Sequence, residues 1–222
     1  MLQDGERGVV LQRDRKTYAV APHLPCGVVS PDMLRKIADV AEKYGAAAIK
    51  VTSAERIAII GIQHDDIDKV WAEFPDACPG QMVGRYVRSV KACPGTQFCK
   101  RGRQDSLSLG FELDRRYHGK SVPGKMKIGV SGCGNQCAET CIKDIGLIGG
   151  AHGWHVVVGG CGGTFARIAQ ELTDEEVTTE RALEIVEALF SYYCQNAKET
   201  ERFADLIERV GIAPLRKVCH LN

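Results

Sequence analysis

Four cysteines in two pairs are the feature that most limits what this chain can fold into. Cys93 and Cys99 have five residues between them, Cys133 and Cys137 have three, and the stretch joining the pairs is long enough to house a helix. Thiolates suit soft metal centres, and four of them satisfy either a tetrahedral zinc or the corners of an iron-sulfur cube. A fold that uses all four must bring two separate loops to one place. Structural zinc sites favour two to four residues inside each pair, so the first pair is loose for zinc. Neither pair has the spacing of bacterial or plant-type ferredoxins. Cys141 repeats the three-residue gap, but Thr140 stands where a tighter cluster run needs its next thiol. The spacing leaves zinc and cluster open.

Composition narrows the setting. Ten cysteines in 222 residues are too few for a disulfide scaffold and too many for chance core filling. Residues 1–20 are studded with charge and offer no apolar signal region, and no run of 18 apolar residues exists. A reducing cytoplasm is the expectation, and it suits exposed thiolates. The formal charge of +1 points to neither nucleic acid nor membrane surface, so anion affinity must come from local placement of Lys and Arg.

The pattern along the chain predicts an α+β protein. Residues 8–12 and 17–20 read as short strands. A helix follows, with Ser30 as N-cap, Pro31 in its first turn and Gly45 as its stop. Residues 47–51 and 56–60 read as strands, 67–74 as a helix capped by Asp65 or Asp66, and 82–91 as a strand. That order is the one found in a ferredoxin-like unit. The turn at Cys78, Pro79 and Gly80 divides the chain into 1–80 and 81–222. Beyond Cys99, residues 105–118 read as a helix interrupted at Gly110, 127–130 as a strand delivering the second cysteine pair, and 145–148 and 154–158 as further strands. Helices over 179–195 and 199–210 are expected to cover the sheet.

The two pairs, with Lys125 and Lys127 just before the second, resemble the nitrite and sulfite reductases that carry siroheme beside a four-iron cluster. The likeness is also carried by the stretch from Thr52 to Arg56, by Arg88 to Lys91, Gln104 to Ser106, Cys137 to Glu139, Lys143 to Gly146 and the glycine run Gly159, Gly160, Gly162 and Gly163. It is greatest toward small assimilatory-type sulfite reductases and the siroheme region of NADH-dependent nitrite reductases. The resemblance implies a ferredoxin-like unit followed by an α/β domain binding siroheme and a [4Fe-4S] cluster, as a single copy of the sulfite reductase half-repeat. It also implies that Cys93, Cys99, Cys133 and Cys137 hold the cluster and that Cys137 bridges to the siroheme iron. Arg56, Arg88, Lys125 and Lys127 would neutralise the substrate anion and supply protons. Asn135, Lys91, Arg101 and Arg103 would contact siroheme, together with amides of the glycine run.

The residues themselves support parts of this. Lys125 and Lys127 lie two apart, so on a strand they face one side, and burial among cations would lower a lysine's pKa and sharpen it as an acid. Taken singly each feature has a plainer reading: Lys-x-Lys is usually a solvated strand face, and Arg56 alone a weak surface ion pair. Cys26, Cys78, Cys194 and Cys219 read as small core residues, and His152 and His155 as structural or surface residues. Ala54 stands where the larger sulfite reductases have an arginine, which leaves that duty to Arg56.

The expected activity is six-electron reduction of sulfite to sulfide, with nitrite to ammonia as the near alternative. No flavin or nicotinamide motif is visible, so electrons are expected from a separate ferredoxin-like or flavoprotein donor. A single half-repeat is expected to self-associate or to be covered by a partner. A cluster-only electron-transfer subunit and a zinc-stabilised binding module are the rival readings.

Overall fold

The computed structural model describes residues 1–221, which form two compact units, residues 1–84 and residues 85–221. Among the described residues, no helix is long and apolar enough to cross a membrane.

The first unit begins with β1 (Val9–Leu11) and β2 (Tyr18–Val20), followed by α1 (Pro31–Lys43). Ser30 caps α1 by accepting the Met33 amide, and the helix ends in a Schellman turn. There Ala46 N–H reaches the Ala41 carbonyl and Gly45 N–H the Glu42 carbonyl, with Gly45 at φ +60°. Then come β3 (Ala48–Val51), β4 (Ile57–Ile62) and α2 (Ile67–Ala72). Asp66 sits at the N-cap of α2 without a side-chain capping bond, because a 3-10 turn over His64–Asp66 leads directly into the helix.

The sheet is antiparallel in the order β1-β2-β4-β3. This is the ferredoxin-like arrangement with one change from expectation. The edge beside β2 is taken by β1, from before the motif, and not by residues 82–91. One core unites Tyr18, Val20, Ile59 and Ile62 of the sheet with Ile37 and Val40 of α1 and Ile67 and Val70 of α2. Burying each such side chain is worth about 1.5–3 kcal/mol.

The second unit contains β5 (Lys91–Ala92), α3 (Gly95–Phe98), α4 (Ser106–Tyr117), β6 (Ile128–Ser131), β7 (Ile145–Gly149), β8 (Trp154–Val158) and β9 (Gln170–Glu171). Helices α5 (Thr179–Asn196), α6 (Phe203–Val210) and α7 (Ala213–Val218) close the chain. Its sheet runs β5-β6-β7-β8-β9, with β5, β6 and β7 parallel and the rest antiparallel.

Parallel neighbours need a crossover. Helix α4 provides it between β5 and β6, capped by Asp105, which accepts the Ser108 amide. The helix runs unbroken through Gly110, which is buried, because packing of Leu109, Leu113 and Tyr117 outweighs the propensity cost of one glycine. The crossover from β6 to β7 is instead the cysteine loop itself, with a 3-10 turn over Thr140–Ile142. The expected strand over 82–91 condenses to β5 and two isolated bridges, Tyr86 with Ser121 and Val87 with Met126. The register slips by one residue between Val87–Met126 and Lys91–Gly129, which breaks the ladder.

Cys26 and Cys219 lie in the cores as expected, but Cys78 and Cys194 are exposed. Cys78 belongs to the turn at Pro79, where its carbonyl accepts the His23 amide. Cys194 falls off the buried face of α5 that Ala182, Ile185, Val186, Leu189 and Tyr193 form.

Candidate functional site

Both cysteine pairs leave the second sheet from the C-terminal ends of adjacent parallel strands, the edge at which open α/β sheets bind ligands. Cys93 extends the ladder one step past β5, its amide donating to the Val130 carbonyl at 3.1 Å. Cys133 follows two residues after the end of β6. The loops touch backbone to backbone. A Cβ built on Gly132 would stand 2.8 Å from the Gly95 Cα, and one on Gly95, at φ +55°, would stand 2.4 Å from Ser106 Oγ. Only glycine permits that approach.

Further bonds lock the two loops together. The Arg103 and Gln104 amides both donate to the Gly132 carbonyl, and the Gly132 amide donates to Cys93 Sγ at 3.1 Å. Ser106 Oγ donates to the Cys93 carbonyl and lies 3.4 Å from the sulfur. Cys99 ends α3 and is exposed, as is Cys137, while Cys93 and Cys133 are half-buried.

Behind Cys137 the loop is tied down by Glu139. Its carboxylate lies 3.0 Å from Lys143 Nζ and 3.4 Å from Lys91 Nζ, so the second loop is pinned to the strand that delivers Cys93. The bond from Lys143, ahead of the pull of Lys91, holds the Glu139 carboxyl below its ordinary value despite some burial. Such pairs add about 0–1 kcal/mol each, so their role is placement more than stability. Ser131 Oγ accepts the Ala138 amide, and Thr140 Oγ1 donates to Gln136.

A cavity of about 570 Å³ opens beside Cys133. Arg101, Arg103, Gly134 and Asn135 line it, with His155 and Glu176. Two guanidiniums and an amide suit a carboxylate-rich group. The Glu176 carboxylate accepts the Ala151 and His152 amides, which hold it below its ordinary value. His155, which sequence alone assigned to structure or surface, therefore lines the cavity, with its Nε2 3.7 Å from Glu176.

The lysine pair precedes β6. Met126 and Ile128 are buried, Lys127 is half-buried and Lys125 exposed, so the two lysines share a face. The Arg88 amide donates to the Met126 carbonyl, and the Val87–Met126 bridge puts Arg88 at the position beside Lys127. Arg88 is itself buried. Burial, then Lys143, Lys125 and Arg202, lower the Lys127 pKa, with Asp144 opposing them.

Asp144 is fully buried and sets this geometry. One oxygen accepts the Lys127 amide at 2.8 Å, and Arg202 Nη2 donates to both oxygens at 2.9 Å. Burial pushes the Asp144 carboxyl up, against the pull of Arg202. Tyr193 anchors the other end of the lysine segment. Its hydroxyl donates to the Glu201 carbonyl and accepts the Gly124 amide, and Thr200 N–H reaches the Pro123 carbonyl. The C-terminal helices thus hold the lysine segment as well as covering the sheet.

Asp144 was visible in sequence only as part of the stretch from Lys143 to Gly146. Arg202 gave no signal, and Tyr193 showed only as part of the apolar face of the helix over 179–195, since Asp144 and Gly124, which they meet, lie far away in sequence.

The glycine run packs against the second cysteine loop. A Cβ on Gly160 would stand 2.6 Å from the Lys143 carbonyl and 2.7 Å from that of Cys141, and one on Gly162 would stand 2.8 Å from Ile142 Cδ1. The Gly159 amide donates to the Asp144 carbonyl, and Cys161 pairs with Arg167 in both directions. Arg202 Nη1 lies 3.8 Å from Cys161 Sγ. Arg56 belongs to the first unit, where it is buried and its amide donates to Thr52 Oγ1. Among the described residues, no three His, Cys, Asp or Glu side chains are grouped to hold a single ion.

Comparison with known proteins gives these features a family. The pattern described as the nitrite and sulphite reductase 4Fe-4S domain matches residues 83–222, and that of the nitrite/sulfite reductase ferredoxin-like half domain matches 10–76. The chain is 37% identical to an assimilatory-type sulfite reductase of Nitratidesulfovibrio vulgaris, over 97% of this chain and 98% of that one. It is 41% identical to a Bacillus subtilis NAD(P)H nitrite reductase over 94% of this chain, but spans only 26% of that protein. Two solved structures share the fold. A dissimilatory sulfite reductase I has a TM-score of 0.83 at 15% identity, covering 93% of this chain and 69% of that one. The NirA protein of Mycobacterium tuberculosis has a TM-score of 0.81 at 21% identity, covering 98% and 43%. The chain belongs to the nitrite and sulfite reductase 4Fe-4S family of oxidoreductases.

Proposed function

We propose that this protein reduces sulfite to sulfide at a siroheme joined through Cys137 to a [4Fe-4S] cluster held by Cys93, Cys99, Cys133 and Cys137. The observation that carries the reading is the meeting of two all-thiol loops at the ends of β5 and β6, with the Arg88, Lys125 and Lys127 segments leading into the same strands. When bound, the cofactor pair supplies an electron store and an open iron position.

The chain does the rest. Arg101, Arg103 and Asn135 line a cavity suited to the cofactor's carboxylates, and Lys91 and the amides of Gly159, Gly160, Gly162 and Gly163 are further proposed contacts. Lys125, Lys127 and Arg88 neutralise the anion, and Arg56 is a further candidate for that role. Lys127, with its lowered pKa, is the better placed of the two lysines to release a proton as an S–O bond breaks. Electrons come from a separate donor in the cytoplasm, and a second copy or a partner covers the single half-repeat.

Full-length agreement with the sulfite reductase supports sulfite as the substrate. The higher identity to a nitrite reductase keeps nitrite as the second reading. Assay of reconstituted protein with reduced viologen tests both. Sulfite consumption with the larger kcat/KM is expected; turnover of neither anion overturns the proposal. Unchanged function after charge-removing substitutions at Lys125 and Lys127 would favour a cluster-only electron-transfer subunit.

A further inference from the structure

We propose that Lys143 is a positioning residue for the reduction, acting on the substrate anion through Lys127. The inference rests on reading Lys127 as the proton donor, and it gives the side chain that braces the second cysteine loop a chemical role as well.

Gly129 makes the placement possible. Residues 125, 127 and 129 alternate to one face of β6 and the segment before it, while Met126 and Ile128 turn to the other side and are buried. A Cβ on Gly129 would stand 2.8 Å from Lys143 Cγ. The lysine stem therefore lies across the strand in the room a side chain would fill, on the face that carries Lys127. Its head is fixed by the 3.0 Å contact with Glu139. Lys91 pairs with Gly129 and Arg88 stands beside Lys127, so the neighbouring strand adds two more cations to this face. The one-residue register slip brings both there, because residues three apart on a regular strand point to opposite faces.

Beyond burial itself, three cations lower the Lys127 pKa, Lys143 ahead of Lys125 and Arg202, with Asp144 opposing them. Lys143 is the least compensated of the three. Arg202 is matched by the fully buried Asp144, which accepts from it through both oxygens. Lys125 is exposed, and water and salt screen its charge. The Lys143 side chain is 9% exposed, whereas that of Glu139 is 47% exposed and is shared with Lys91. A buried cation whose counter-charge is solvated acts strongly on a second cation beside it. With Lys143 charged, Lys127 passes a proton to the departing oxygen and is left as a neutral amine, which water reprotonates.

The test uses holoenzyme and the variants Lys143→Met, which keeps the stem over Gly129 and removes the charge, and Lys143→Arg, which keeps the charge. Trace acetic anhydride is applied across a pH series, and acetylation of Lys127 is followed by mass spectrometry; its midpoint reports loss of the Lys127 proton. Lys143→Met is expected to move that midpoint up by about one pH unit, and the alkaline limb of viologen-driven turnover with it. Lys143→Arg should restore both, with iron, acid-labile sulfide and siroheme per chain equal to the parent in each variant. An unchanged midpoint in Lys143→Met overturns the proposal. So does loss of cluster or siroheme in that variant, which would make Lys143 a strut of the cysteine loop alone. Should the parent reduce neither anion, the functional reading fails separately, and the labelling midpoint still decides whether Lys143 acts on Lys127.

Discussion

Replacing Arg202 by methionine should be among the most damaging single changes in the second unit, although Arg202 was silent in the sequence. Asp144 is 0% exposed, and Arg202 meets both of its oxygens at 2.9 Å. Methionine keeps the bulk but leaves a fully buried carboxylate with only the Lys127 amide. Breaking a buried pair from one side costs about 3–5 kcal/mol, and the residual exposure of Arg202 favours the lower end, about 3 kcal/mol. That corresponds to a fall of about 10 °C in Tm.

The penalty also has a signed pH dependence. Burial already raises the Asp144 carboxyl, and removing Arg202 raises it further. The native variant then binds a proton more readily than the unfolded chain, so its stability falls as pH rises through that window. The loss relative to the parent should therefore be largest near neutral pH and shrink on acidification. Scanning calorimetry at several pH values measures it. Adding Asp144→Asn to Arg202→Met should recover much of the loss, since no buried charge remains. A variant melting within about 1 °C of the parent at neutral pH, or a penalty that does not vary with pH, would refute the reasoning.

Gly132→Ala should force the two cysteine loops apart at a cost of about 1–3 kcal/mol, seen as lower iron and acid-labile sulfide per chain while the helical circular dichroism persists. Lys127→Met should cut turnover about 100-fold or more yet raise Tm, because it removes a cation whose charged state is disfavoured by burial and by Lys143, Lys125 and Arg202. For the same reason the parent should lose its Lys127 proton at a lower pH than an ordinary lysine, detectable as an alkaline limb in the turnover profile that Lys127→Arg shifts upward. Tyr193→Phe deletes a hydroxyl that burial pushes up to about 12 and that bridges Gly124 and Glu201; a loss of about 1–3 kcal/mol by chemical denaturation is expected.

Sequence disclosed the elements with strong local signals. The α1 helix was legible from Ser30, Pro31 and Gly45 because its caps are built by neighbours in the chain. The cysteine pairs were legible because thiolates at loop positions have few other uses. The strand expected over 82–91 was not legible as it stands, since a one-residue register slip depends on the partner segment 121–130 and not on local pattern. The edge strand of the first sheet was misassigned for a similar reason: β1 and residues 82–91 are both short and β-compatible, and only tertiary packing selects between them. Lys125 and Lys127 could be put on one face from spacing alone. What holds them there could not, because Asp144 meets Arg202 across 58 residues and Gly124 meets Tyr193 across 69.

The most direct test of the account is the optical spectrum of protein purified without oxygen, with iron, acid-labile sulfide, zinc and extracted tetrapyrrole measured on the same sample. The account predicts siroheme absorption that shifts when sulfite is added, about five irons (four from the cluster and one from the siroheme itself) and about four acid-labile sulfides per siroheme, and loss of the cluster on replacing any of Cys93, Cys99, Cys133 or Cys137 by serine. Zinc in place of iron would contradict it. So would cluster absorption without tetrapyrrole that persists after expression with siroheme synthesis supplied.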